Sequence, residues 1–121
     1  MFVLLEHTTD GAVHWDLLVE TPDSDRLAAW RLLACPLTTE TDIRAEPIPP
    51  HRRAYLDYEG EISGGRGRVR RLDRGAAELL SAGTEGWRIR LHGMHLAGTF
   101  EITFSDDARF RRCRPAGPSP V

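Results

Sequence analysis

The sequence predicts a mainly β chain, a compact antiparallel β-barrel with one or two short helical turns. Three observations predict it. Apolar and polar residues alternate over most of the chain, turn-forming Gly, Asp and Pro separate the alternating runs, and no long segment carries helical spacing. At 121 residues and 40% hydrophobic the chain is long enough for one core and too short for two. The expected layout is a single barrel domain over 1–112 and a disordered tail over 113–121, where Pro115, Gly117, Pro118 and Pro120 crowd together.

Taken in order, Phe2 to His7 reads as the first strand, and Asp10-Gly11 as a hairpin turn into the second. In that second run Val13, Trp15, Leu17 and Val19 alternate with His14, Asp16, Leu18 and Glu20, the first set facing the core. Thr21-Pro22-Asp23-Ser24-Asp25 ends it, and Leu27 to Leu33 is the next strand. The stretch from Pro47 to Tyr58 is Pro-rich at its start and holds one helical turn near His51 to Tyr55. Gly64-Gly65-Arg66-Gly67 opens a strand over Arg68 to Arg74. Ala76 to Ala82 has helical composition but is short and lies between Gly75 and Gly83. Two further alternating runs, Trp87-Ile89-Leu91 and Phe100-Ile102-Phe104, complete a set of strands that closes into a barrel or sandwich.

Composition narrows the function classes. Sixteen basic residues against eighteen acidic ones give a formal charge of −2, which argues against non-specific nucleic-acid binding over the whole surface. All sixteen are Arg, so there is no Schiff-base or phosphate-loop lysine, and an anion site must use Arg, His, Tyr or backbone N–H groups. Cys35 and Cys113, with no Cys-x-x-Cys pair, point to a reducing compartment, and the N-terminus carries no basic segment of the secretory kind. The expectation is a cytoplasmic protein with no membrane association.

His14-x-Asp16 carries the sharpest chemistry. Residues two apart on a strand point the same way, so an imidazole and a carboxylate stand side by side, and the hairpin brings His7 opposite them. Two His and one Asp suit Mn²⁺, Zn²⁺ or Fe²⁺ with positions left for water or substrate. The same spacing also fits an ordinary His–Asp contact on a solvated strand face. A second group is His51, Arg52, Arg53 and Tyr55, in which His51 and Tyr55 share a face of a helical turn. It reads either as a phosphate site or as a surface loop. A third, Gly64 to Arg71 with Arg74, reads as a phosphate-facing basic hairpin or as an edge strand guarded by arginines. His92 and His95 read as part of a structural turn.

In order and spacing, Phe2-Val3-Leu4-Leu5-Glu6-His7, His14-Trp15-Asp16-Leu17-Leu18-Val19-Glu20, His51-Arg52-Arg53-Ala54-Tyr55-Leu56-Asp57-Tyr58-Glu59-Gly60 and Arg90-Leu91-His92-Gly93 with Leu96 and Gly98 resemble one family. This is the 3′-phosphoesterase domain of bacterial DNA ligase D, which also occurs as a stand-alone protein. The resemblance runs from about Phe2 to Phe104. It implies a β-barrel that trims 3′ ends of DNA or RNA with Mn²⁺, removing a terminal ribonucleoside and then a 3′-phosphate in DNA repair, beside other end-joining proteins. It implies His7, His14 and Asp16 as metal ligands and His51 and Tyr55 as groups near the scissile phosphate.

The chain departs from the family where phosphate is held. Leu18 stands where the family has Arg, two residues after the metal-binding Asp, and Trp30-Arg31-Leu32-Leu33-Ala34-Cys35-Pro36 lacks the family lysine. Pro49-Pro50 replaces an acidic pair. Arg52, Arg53, Arg66 and Arg68 are the cations left to bind substrate phosphate. Two other readings fit the same residues: a non-catalytic module binding nucleic-acid ends or a repair partner, and a non-haem iron oxygenase built on the two-His, one-carboxylate triad.

Overall fold

The computed structural model describes residues 1–38 and 42–113. Nine strands follow the alternating runs: β1 Phe2–Thr9, β2 Ala12–Val19, β3 Arg26–Leu32, β4 Ile43–Arg52, β5 Gly60–Glu61, β6 Arg68–Ala82, β7 Gly86–Gly93, β8 Ala97–Thr103 and β9 Arg109–Arg112. Every pairing is antiparallel, in the order β1-β2-β3-β4-β9-β8-β7-β6-β5, and a β1–β6 pairing closes the ring. The expected barrel is thus present. Most of the predicted tail lies outside the described residues. Among those described, no helix is long and apolar enough to cross a membrane, and Cys35 and Cys113 are free thiols.

Alternation divides the buried residues into two layers. Phe2, Leu4, Leu17, Val19, Trp30, Leu32, Ile89, Leu91, Phe100 and Ile102 fill the barrel, which at eight strands around has room for side chains and little else. On the outer face Val3, Leu5, Leu18, Leu27, Ala29 and Val69 make a second, smaller core. Leu56, Tyr55 and Ile62, from the segment after β4, roof it. The face expected to be solvated around His14 and Asp16 is therefore half covered, and Leu18 is fully buried in it.

One short helical turn is present close to where it is expected, and the segment of helical composition is strand. Ala76 to Ala82 continues β6, because pairing with β7 from Gly75↔Gly93 to Ala82↔Trp87 overrides a weak local preference. The helical turn is a 3-10 turn over Arg53–Leu56, so His51 lies in β4, one residue before its end at Arg52, and shares no helical face with Tyr55. The prolines explain the shift. Along β4, β9 pairs only with Ile43 and Arg44, and among the described residues the rest of that edge has no strand partner. The β3–β4 register slips between Leu27↔His51 and Ala29↔Ile48, so Pro49-Pro50 lie in a bulge that needs no ladder N–H. Nor is β6 an edge strand over its arginines, since β1 pairs with Arg68 to Gly75.

One polar group braces the far end of the barrel. Asp73 is 6% exposed and accepts hydrogen bonds from the backbone N–H of Leu96 (2.6 Å), Arg74 (2.8 Å), Met94 and His95 (3.0 Å each). Four donors on one carboxylate pin the β7–β8 turn to β6. A Cβ at Gly93 would overlap Asp73 Oδ2 and press on the Phe2 ring, so the turn needs glycine there. His95 takes part in this turn and His92 Nε2 lies 3.9 Å from Glu78, as the structural reading of the two histidines expects.

Candidate metal centre

The β1–β2 hairpin builds the centre. A two-residue turn at Asp10-Gly11, with Gly11 at φ 77°, pairs Thr9 with Ala12 and so His7 with His14 and Leu5 with Asp16. All three polar side chains then fall on the outer face beside Leu5 and Leu18. His7 Nδ1 lies 2.9 Å from His14 Nε2 and 3.6 Å from Asp16 Oδ2, and His14 Nε2 lies 3.3 Å from Asp16 Oδ1. Donors bonded at ~2.1 Å to one ion sit roughly 3.0 Å apart at right angles and roughly 3.4 Å apart in a tetrahedron. The three could therefore hold a metal ion with little movement.

The surrounding bonds fit that use. The Arg66 carbonyl lies 2.7 Å from His7 Nε2. A carbonyl only accepts, so Nε2 carries the proton and Nδ1 turns a bare lone pair toward the centre. Asp16 is 3% exposed, and its Oδ1 has no hydrogen-bond partner among the described residues. The Arg31 Nε at 4.0 Å offsets part of the cost of burying this charge but makes no hydrogen bond to it, so a lone pair remains for a metal ion. Burial holds His14 below the ordinary histidine pKa; Asp16 pulls it up, while Arg31 and His7 add to the lowering. The neutral imidazole is the form that ligates.

Gly67 supports the arrangement from a distance. It adopts φ 91°, and a Cβ there would overlap the Thr8 carbonyl. Gly67→Ala must shift the Arg66 carbonyl off His7, with an expected loss of about 2 kcal/mol in stability and about tenfold or more in metal affinity. Thermal unfolding and a metal titration measure the two.

The second predicted group lies elsewhere on the same face. In the strand register the Leu18↔Ala29 pair separates His51↔Leu27 from Asp16↔Arg31. Among the described residues no hydrogen bond or ion pair joins His51 or Tyr55 to His7, His14 or Asp16. His51 Nδ1 donates to the Pro49 carbonyl at 2.9 Å, leaving Nε2 without a partner among the described residues, and the His51 and Tyr55 rings meet edge-on at 5.4 Å. Tyr55 and Tyr58, with Arg52, Ile62 and Arg66, line a groove of about 210 Å³. Arg66 touches both places: its carbonyl orients His7 and its side chain lines the groove.

The predicted phosphate cations differ in their freedom. Arg53 is paired with Glu20, and Arg66 donates to the Ser63 carbonyl at 2.8 Å. Arg70, Arg71 and Arg74 face Glu6, Glu59 and Asp57, so much of the basic strip is neutralised within the fold. Arg52 lines the groove, and Arg68 borders the neighbouring hollow beside Thr8 and Gly67. Sequence reasoning missed Arg31, which stands opposite Asp16 with Nε 4.0 Å from Oδ1. Its signal was the β2–β3 register, and the five-residue turn Thr21 to Asp25 leaves that register open. No protein-family model matches the chain, and a search of curated proteins returns no match.

Proposed function

We propose that this chain is a divalent-metal-dependent phosphoesterase that acts on 3′ ends of nucleic acid, removing a 3′-phosphate or a 3′-ribonucleoside in DNA repair. The observation that carries the reading is the convergence of His7 Nδ1, His14 Nε2 and the unpartnered Asp16 Oδ1 on one point of the outer face. Two nitrogens and a carboxylate suit Mn²⁺ or Zn²⁺. Such an ion, when bound, polarises a phosphoryl oxygen and lowers the pKa of a water.

The chain's own residues supply the rest. His7, fixed by the Arg66 carbonyl, and His14 hold the ion, and Asp16 supplies the negative charge. The tyrosine-lined groove, reached past Arg66, takes the terminal nucleoside, where base stacking on an aromatic ring is worth about 1–3 kcal/mol. Arg52 and Arg68 steer the strand by its phosphates. His51, with Nε2 free, is the proton-transfer group nearest the groove wall formed by Tyr55.

The test is phosphate release from a primer–template carrying a 3′-phosphate, with Mn²⁺, for wild type and His14→Ala. Release that needs the metal and disappears in the variant is expected. A folded, metal-loaded wild type that releases nothing overturns the reading. Salt-sensitive binding of the DNA without turnover would identify a binding module instead, and Fe²⁺-dependent oxygen uptake an oxygenase.

A further inference from the structure

We infer that Arg31 is the anion-binding residue of the metal centre, and that the centre selects a phosphate monoester dianion over a diester. This rests on the phosphoester reading above and says which ester the site takes. Arg31 stands opposite Asp16 across β2 and β3, on the outer face, with Nε 4.0 Å from Asp16 Oδ1. Its Nε is buried and without a hydrogen-bond partner among the described residues, while the side chain as a whole is 38% exposed. The side chain is thus packed at Nε and partly open to solvent beside Asp16. The carboxylate facing it from β4, Glu46, lies 3.8 Å from Arg44 Nε. Among the described residues Asp16 is therefore the only carboxylate within ion-pair distance of Arg31.

Charge then decides the partner. Two neutral imidazoles, one carboxylate, one guanidinium and a divalent ion leave the centre at +2. A guanidinium this close to a ligand oxygen competes with the metal for Asp16, an arrangement that favours catalysis only when an anion joins both cations. A phosphate monoester is close to a dianion at neutral pH and cancels the charge; a diester carries one charge and leaves half of it. The planar guanidinium holds two phosphoryl oxygens at once, which a point charge does not.

Calorimetric titration of the manganese-loaded full chain with inorganic phosphate and with dimethyl phosphate tests this. Wild type is expected to bind phosphate at least about tenfold more tightly than the diester. Arg31→Ala is expected to lose about ten- to a hundredfold in phosphate affinity. Its Mn²⁺ affinity, measured without phosphate, should be unchanged or higher, since a competing cation is gone. Arg31→Lys keeps the charge without the fork and should fall between the two. Phosphate binding by Arg31→Ala at the wild-type level, in a protein that still releases 3′-phosphate, overturns the assignment and spares the phosphoesterase. Loss of Mn²⁺ affinity in Arg31→Ala makes the residue a support for Asp16 and also overturns it. Equal binding of phosphate and diester removes the monoester preference. A wild type that neither binds phosphate nor releases it overturns both readings.

Discussion

Asp16→Ala is expected to lower divalent-metal affinity by at least about a hundredfold, because the roughly 10 kcal/mol of a tightly held ion is shared among few ligands. The same substitution should leave the metal-free protein nearly as stable as wild type. Asp16 is buried with one oxygen unpartnered, so its removal relieves a desolvated charge while losing its contacts to His7 and His14. The two effects separate in a thermal melt. At an ion concentration near a hundred times Kd, wild type gains about 2.7 kcal/mol, or roughly 10 °C, and a variant that binds a hundredfold more weakly gains about 0.4 kcal/mol, or roughly 2 °C. A variant that shifts as far as wild type would place the ion elsewhere. His14 gives the pH dependence of the metal-free protein. Its pKa is lowered in the folded state, so below 6.5 the unfolded chain takes up the proton first. Stability should fall as the pH drops from there toward the folded value.

Asp73→Ala is expected to cost about 3 kcal/mol, the largest stability loss of any polar substitution in the barrel. Four N–H groups lose their acceptor, of which the Leu96 N–H is deeply buried and the Met94 N–H can turn to water. Burial pushes the Asp73 carboxyl up, but the N–H groups of Leu96, His95, Arg74 and Met94 outweigh it and hold the pKa below its ordinary 3.8. A depressed carboxyl stabilises the fold above the unfolded pKa and ceases to as the pH falls through the folded one. The gap between wild type and Asp73→Ala in denaturant titrations should thus be full at neutral pH and close in strong acid. Asp73→Asn, which offers one acceptor and turns an amide against the remaining donors, should recover only part of the loss. A gap independent of pH would mean that shape, not charge, pins the turn.

Much of the barrel is legible in the residues because a strand's period of two is strict. Trp15 and Leu17 face the interior, as their alternation with His14 and Asp16 requires. The candidate triad of His7, His14 and Asp16 is legible for the same reason joined to another: a two-residue Asp-Gly turn admits one register, and that register sets His7 against His14. Where the turn is longer the register is free, which hid Arg31. The second core was hidden by composition. Leu18 alternates with the polar set, and only the return of Leu56 and Ile62 over the sheet buries it. Ala76 to Ala82 carries helical composition without a helical length, and pairing with β7 decides it as strand.

The bond between His7 Nε2 and the Arg66 carbonyl spans 59 positions of sequence. During synthesis at about 5–20 residues per second, the hairpin bearing His7, His14 and Asp16 is made roughly 2–9 s before the carbonyl that fixes the His7 proton exists. In that interval the Arg66 carbonyl cannot fix the His7 tautomer. The carbonyl is set in place only when β6, which follows the glycine-rich loop and pairs with β1, closes the ring. The orientation of His7 is thus a late product of folding, although its strand is the first made.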